Sequence, residues 1–264
     1  VIRILFVGDV MAKVGRRLLA AHLEPLVDRE RVDFVVANLE NAAGGFGVTP
    51  QVMEELDALP VDVWTSGNHI WDKKEGIPLL DAYPTLIRPA NYPRGNPGRG
   101  WVVEETAAGV PVAVVNLQGQ ALMPPIDNPF RVADEVLAEI ASAHPGVRVI
   151  VVDMHAEATS EKQAMGWHLD GRVTAVLGTH THVPTADERI LPGGTALQTD
   201  VGMTGPYESI IGMRPQKVLE RFLLNTPRPF EPARRGGELR GAVVEADPET
   251  GRALSIRRIR VAPD

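Results

Sequence analysis

Two histidines separated by one residue, in Gly178-Thr179-His180-Thr181-His182-Val183-Pro184-Thr185, are the first chemistry-bearing feature of this chain. They follow an apolar run at 173–177 that reads as a buried strand ended by Gly178. In extended backbone, residues i and i+2 point to one side, so both imidazoles are expected to reach one small volume. Neutral imidazole is the commonest protein metal ligand. A His-x-His pair on an ordinary polar loop has the same local signature, so the weight falls on the rest of the chain.

The same pattern recurs at other strand ends. Asp9 stands just after a strand at 2–7 and before a helix expected at about 15–26; alone it reads equally well as a helix N-cap. A strand at 32–37 delivers Glu40 and Asn41 ahead of a glycine-rich turn. One at 61–64 delivers Asn68 and His69, and one at 147–152 delivers His155. Asp9, Glu40, Asn41, Asn68, His69, His155, His180 and His182 therefore all lie at or just past the ends of apolar strands. Surface histidines would be scattered and core histidines would sit inside strands. Metal binding is the expected chemistry. Carboxylates, amides and imidazoles in this number exceed what one catalytic zinc takes, and suit two ions sharing a carboxylate, as in phosphatases and nucleases.

The elements that must position these groups alternate between strand and helix. Thr49-Pro50 caps and starts a helix. Strands at 101–105 and 110–116 pair across Ala108-Gly109, a helix runs over 132–143, and another starts near Ser160 as its cap and runs to about 169. Residues 199–206 form a glycine-rich loop whose amides are expected to face an anion. A helix at 215–224 and a hairpin of 241–246 with 253–261 close the chain. Segments 71–100 and 117–130 are Pro-rich, with one short helix expected at 73–80, and are expected to border the site. No linker divides two cores, so residues 1–264 are expected to form one domain.

Composition narrows the class. With 264 residues, 44% apolar and 23% charged, the chain is an ordinary globular sequence long enough for a large core. A formal charge of −7 leaves no extended nucleic-acid footprint. Cysteine is absent, which excludes disulfides and thiolate ligands and leaves nitrogen and oxygen donors, suited to Mn, Fe, Zn or Mg. No run is long enough to span a membrane, and no signal-peptide pattern precedes the first strand, so a cytoplasmic enzyme is expected.

Asp9 after the first strand, Asn38-Leu39-Glu40-Asn41-Ala42-Ala43-Gly44, Gly67-Asn68-His69, Asp153 to Glu161, Gly178 to Thr185 and Thr199 to Pro206 together resemble the metallophosphoesterase (calcineurin-like) superfamily. Within it the chain is most similar to the YmdB-like branch of 2′,3′-cyclic-nucleotide 2′-phosphodiesterases. The resemblance implies a four-layer α/β/β/α sandwich of two mixed sheets. It implies a first metal on Asp9, Glu40, Asn41 and His182, and a second on Glu40, Asn68, His155 and His180. His69 would be the general acid, and a hydroxide bridging the metals would attack phosphorus. The wider superfamily carries Asp-x-His after the first strand, whereas this chain has Met11 at the histidine position; Asn41 is the implied replacement. Two divalent or mixed-valence ions, Fe or Mn rather than Zn, follow from the oxygen-rich set.

The implied reaction opens a 2′,3′-cyclic nucleotide at its 2′ bond, leaving a 3′-phosphate. A phosphomonoesterase on the same centre, or a regulatory protein that binds metal and nucleotide with little turnover, are the alternatives. An amidohydrolase is disfavoured because its His-x-His normally follows the first strand. The expected partner is a small nucleotide or other phosphodiester, with a homo-oligomer allowed. Arg88 reads either as a phosphate contact or as a solvated loop charge.

Overall fold

The computed structural model describes residues 1–262. In chain order the strands are β1 (Ile2–Val7), β2 (Asp9–Val10), β3 (Phe34–Asn38), β4 (Val63–Thr65), β5 (Trp101–Glu105), β6 (Pro111–Gln118) and β7 (Val149–His155). They continue as β8 (Ala175–Thr179), β9 (Arg189–Ile190), β10 (Ala196–Gln198), β11 (Met203–Pro206), β12 (Gly237–Ala246) and β13 (Ala253–Val261). The helices are α1 (Ala12–Glu30), α2 (Pro50–Asp57), α3 (Leu79–Ala82), α4 (Pro129–Ala143), α5 (Thr159–Leu169) and α6 (Pro215–Leu224).

Two mixed sheets result. The first runs β2-β11-β12-β1-β3-β4, with β13 also on β12; the second runs β5-β6-β7-β8-β10-β9. In the first, β1, β3 and β4 are parallel and β12 is antiparallel to β1. In the second, β6, β7, β8 and β10 are parallel, with antiparallel strands at both edges. The parallel strands deliver their carboxyl ends to loops, which is where α/β folds place ligands.

Side-chain alternation builds the layers. Ile4 and Phe6 of β1, with Phe34 and Val36 of β3, point inward and pack on Val112 and Val114 of β6 and Val149 and Val151 of β7. Leu5 and Val7 point the other way, onto Leu19 and Leu23 of α1 and Met53 of α2. On the far side, Val115, Ile150 and Val152 meet Val136 and Ile140 of α4 and Met165 of α5. The order is therefore helix, sheet, sheet, helix, the four-layer sandwich that the resemblance implies. Among the described residues, no helix is long and apolar enough to cross a membrane.

Several local expectations need correction. Helix α1 starts at Ala12, not near 15, because the Asn41 carbonyl accepts the Ala12 N–H at 2.9 Å. The expected helix at 73–80 is a 3₁₀ turn at Lys74–Gly76 followed by the four-residue α3. Thr49 caps α2 as expected, its Oγ1 accepting from Val52 N–H. Ser160 is no cap: Ala158 holds that position without a side-chain bond. The amides at 199–203 face no open anion site. Thr199, Asp200 and Gly202 donate to Asp187, Thr185 and Asp200 side chains, Val201 to the Gly178 carbonyl and Met203 to the Tyr207 hydroxyl.

Candidate metal centre

The two sheets bring the singled-out residues to one edge of the sandwich. Glu40 and Asn41 follow β3, Asn68 and His69 form a 3₁₀ turn after β4, His155 ends β7, and His180 and His182 lie just past β8. Glu40, His155 and His180 each place one ligand atom within 4.8 Å of the others, a group able to hold a metal ion.

His155 is the hub. Its Nε2 lies 3.0 Å from Glu40 Oε1, 3.0 Å from Asn68 Oδ1 and 3.1 Å from His180 Nδ1. One ring nitrogen has at most one proton, so it cannot satisfy three acceptor-type atoms. Donor atoms each about 2.0–2.2 Å from a shared ion sit roughly 3 Å apart, which is the spacing seen. The other ring nitrogen settles the tautomer. Thr179 Oγ1 donates to Asp153 Oδ1 at 2.6 Å, so His155 Nδ1 donates to Thr179 Oγ1 at 2.8 Å. In the neutral ring Nε2 then carries the lone pair, as a metal ligand must. Asp153 is itself held by Thr65 and Asn38, across the seam between the sheets. Gly67 is required here, because a Cβ on it would lie 2.2 Å from the His155 ring.

A second pair shows the same logic. His182 Nδ1 donates to the Ile211 carbonyl at 2.9 Å, which leaves Nε2 with its lone pair, 3.3 Å from Asn41 Oδ1. Asn41 Nδ2 donates to the Gly45 carbonyl, so its Oδ1 is the oxygen facing His182. Two acceptors thus face each other with no proton between them. Asp9 lies nearby, its Oδ2 accepting the His180 N–H at 3.2 Å. Its buried Oδ1 has no partner among the described residues. An unpaired buried carboxylate oxygen is costly, and facing acceptors repel; a cation relieves both. The residues present therefore fit metal.

The electrostatics agree. Burial alone would push the His155 imidazole down, but Glu40, then Asp9 and Asp153, more than offset it and raise His155 to about 9. Burial opposes ionisation of Glu40, yet His155 and the His69 N–H bring it to about 2. The cluster calls for positive charge at this point, which either a proton or a metal ion supplies. Burial, then the charge on His155, lowers His180 to about 3, keeping it the neutral base that ligation needs. Burial raises Asp9, with His182 and His155 pulling it back.

The extended-backbone rationale for His-x-His is overturned. His180 has φ 97° and His182 has φ 67°, both in the left-handed region that non-glycine residues rarely adopt. The two imidazoles consequently reach different partners, His155 for one and Asn41 for the other. Asp200 braces this strained turn: its Oδ2 accepts from Thr181 N–H and Oγ1 and from Lys162 Nζ.

His69 stands apart from the inner group. Its N–H donates to Glu40 Oε2 at 2.9 Å, while its ring Nδ1 pairs with Asp72 Oδ2 at 2.8 Å and its ring lies edge-on to Phe46. The divergence of Asn68 and His69 comes from the 3₁₀ turn, not from extended backbone. Asp72 was not anticipated, although its spacing is a usable signal: side chains at i and i+3 eclipse in a 3₁₀ turn. Arg88 is neither a phosphate contact nor a solvated charge. It is buried, and its guanidinium donates to carbonyls of Pro89, Asn96, Pro97 and Gly98, clamping its own loop.

A cavity of about 490 Å³ opens in front of Glu40, Asn41, His69, His180 and His182. Its opposite wall is apolar and comes from residues 210–230 together with Phe46, a wall the sequence patterns did not reveal. Segment 71–100 meets the site through Asp72. It is tied to 117–130 by Asn91 and Tyr92, which donate to the Gln118 carbonyl and Gln118 Oε1.

A family model described as YmdB-like protein matches residues 5–259. The chain is 47% identical over 262 residues to the 2′,3′-cyclic-nucleotide 2′-phosphodiesterase of Bacillus subtilis (strain 168), spanning 99% of this chain and 98% of that protein. A solved structure of a hypothetical protein from Thermus thermophilus superposes with TM-score 0.92 at 43% identity, covering 100% of both chains. A structure described as a novel phosphatase from Mycoplasma pneumoniae also gives TM-score 0.92, at 35% identity over 99% of this chain and 93% of that one.

Proposed function

This chain belongs to the YmdB-like family, and from that premise we propose that it is a metal-dependent phosphodiesterase that opens small 2′,3′-cyclic nucleotides in the cytoplasm at the 2′ bond, leaving a 3′-phosphate. The observation that carries this reading is His155 Nε2 facing Glu40, Asn68 and His180 at 3.0–3.1 Å, beside a paired His69 and Asp72, in a chain 47% identical to a phosphodiesterase of that specificity.

Glu40, Asn68, His155 and His180 would hold one ion, and Asp9, Asn41 and His182, with Glu40 shared, a second. Fe or Mn suits this mixture of oxygen and imidazole donors. Bound ions of this kind supply Lewis acidity at the phosphoryl oxygens and a water activated near neutral pH. The chain's own groups do the rest. Asp72 fixes the His69 ring through Nδ1, which leaves Nε2 as the nitrogen able to hand a proton to the departing 2′ oxygen. A ribose alkoxide leaves poorly without that proton. Glu40, held by the His69 N–H, couples the acid's position to the ligand set. The family match over 5–259 supports treating residues 1–264 as one domain. Of the Pro-rich segments expected to border the entrance, 71–100 meets the site through Asp72, and neither it nor 117–130 lines the cavity itself.

The test is turnover of 2′,3′-cyclic AMP by iron- or manganese-loaded protein, with chromatographic identification of the product. Adenosine 3′-monophosphate supports the reading; adenosine 2′-monophosphate, or an intact substrate, refutes it. The Mycoplasma structure described as a phosphatase favours a second reading, phosphomonoester hydrolysis on the same centre. Adenosine and inorganic phosphate as the main products from adenosine 3′-monophosphate would favour that one.

A further inference from the structure

The cavity before the centre has two faces of opposite character. One carries the candidate ligands and His69. The other is made by Phe46, Ile211, Met213, Val218, Phe222 and Phe230, with no hydrogen-bonding side chain among them. Part of its backbone is also occupied: Ile210 and Met213 bond to each other through both their N–H and carbonyl groups, and the Ile211 carbonyl accepts from His182 Nδ1. Met11, at the position where the wider superfamily has histidine, is fully buried behind this wall and packs with Met213 and Val218.

Much of the wall nevertheless faces solvent. Phe222 is 78% and Ile211 52% exposed. Apolar side chains left open beside a polar site mark a surface that meets a ligand. Arg221 lies over the Phe230 ring at 4.9 Å and steadies it, and Phe46 rests edge-on against His69 at 5.0 Å. Whatever sits on Phe46 is thus one ring away from His69.

Resting on the phosphodiesterase reading, the geometry points to this wall as the seat of the nucleobase. With the cyclic phosphate at the polar face, the substituent on C1′ of the ribose is directed to the other side of a cavity about 490 Å³ in volume, ample for one nucleotide. A nucleobase is flat, and its π-face packs on aromatic rings without hydrogen bonds. Such seating tolerates every base, since each has a π-face while the wall offers no side-chain donor or acceptor to read an edge. The enzyme is accordingly indifferent to which base is present but binds a nucleotide more tightly than an abasic ester.

The experiment compares metal-loaded full-length protein on the four 2′,3′-cyclic nucleotides and on methyl ribofuranoside 2′,3′-cyclic phosphate, which has no base. The four nucleotides should have KM values within about 10-fold of one another, and the abasic ester a KM about 10–100-fold higher, the range expected for losing one stacked base. Phe222→Ala and Phe230→Ala should raise KM for nucleotides about 10-fold more than for the abasic ester, at unchanged metal content. Equal KM for nucleotide and abasic ester in the parent protein overturns the proposal, as does more than 100-fold preference for one base. So does a Phe222→Ala protein that changes oligomeric state with no effect on KM, which would make the wall an interface between copies. If no cyclic ester is cleaved, the 2′-phosphodiesterase reading fails separately. The base site is then judged by calorimetry: adenosine 3′-monophosphate must bind more tightly than ribose 3-phosphate, by a margin that Phe222→Ala removes, and equal binding overturns it.

Discussion

Lys162 Nζ lies 2.7 Å from Asp200 Oδ2, and both side chains are about 1% exposed. The pair sits directly under the turn that carries His180 and His182. Lys162 also donates to the Thr179 carbonyl, while the Asp200 carboxylate accepts from Lys162, from Thr181 and from the Gly202 N–H. A residue of α5 and one of the loop after β10 thereby hold two left-handed histidines in place.

Removing one partner of such a pair leaves an uncompensated buried charge, typically at a cost of about 3–5 kcal/mol. Lys162→Met should lower unfolding stability by that order in urea titration. Thr181→Val deletes only the hydroxyl that donates to Asp200. It should cost about 1.5–3 kcal/mol at most and weaken metal retention on dialysis against chelator. Unaltered chelator resistance would show that the turn needs no brace.

Glu40→Ala should reduce occupancy of both metal positions, because the proposed roles share this carboxylate. Elemental analysis of metal-loaded protein is the measure. Two ions per chain are expected in the parent; loss of only one from the variant would confine Glu40 to a single ion.

Thr179→Val removes the acceptor that fixes the His155 Nδ1 proton. Outer-shell partners of ligating histidines are typically worth about 10–100-fold in metal affinity. The variant should show that loss in competition titrations, with its fold intact by circular dichroism. Parent-like affinity would assign the Asp153, Thr179 and His155 chain to joining the sheets.

His69→Ala should keep its metals and lose about 10²–10⁴-fold on 2′,3′-cyclic nucleotides, the usual worth of a general acid. On bis(4-nitrophenyl) phosphate, whose nitrophenolate leaves without a proton, the loss should be much smaller. Asp72→Asn should follow the same split more mildly. Equal losses on both substrates would remove His69 from the acid role.

The address of the site was legible in the sequence, because polar residues stacked at the ends of apolar strands mark the edge where ligands gather, and that is a local signal. The layer order was legible only through the family resemblance, since β3 is apolar and buried on both faces and shows no alternation that would say which side chains meet the second sheet. The Thr49 cap of α2 was legible, but the start of α5 was not: Ala158 holds its cap position and Ser160 lies inside the helix, while Glu161 of the same turn accepts from the Gln120 and Ala121 N–H groups across the molecule. The tertiary structure alone decided how His180 and His182 part company, since the left-handed backbone that separates them is imposed by Asp200 and Lys162 from distant elements. It alone decided that Asp72 joins His69, and that Arg88 turns inward to clamp a loop. It also assembled the apolar wall, whose members at 46, 211–213 and 222–230 share no sequence period. Side chains that meet only when two sheets and a helix converge carry no local pattern, because the contact that relates them is long-range.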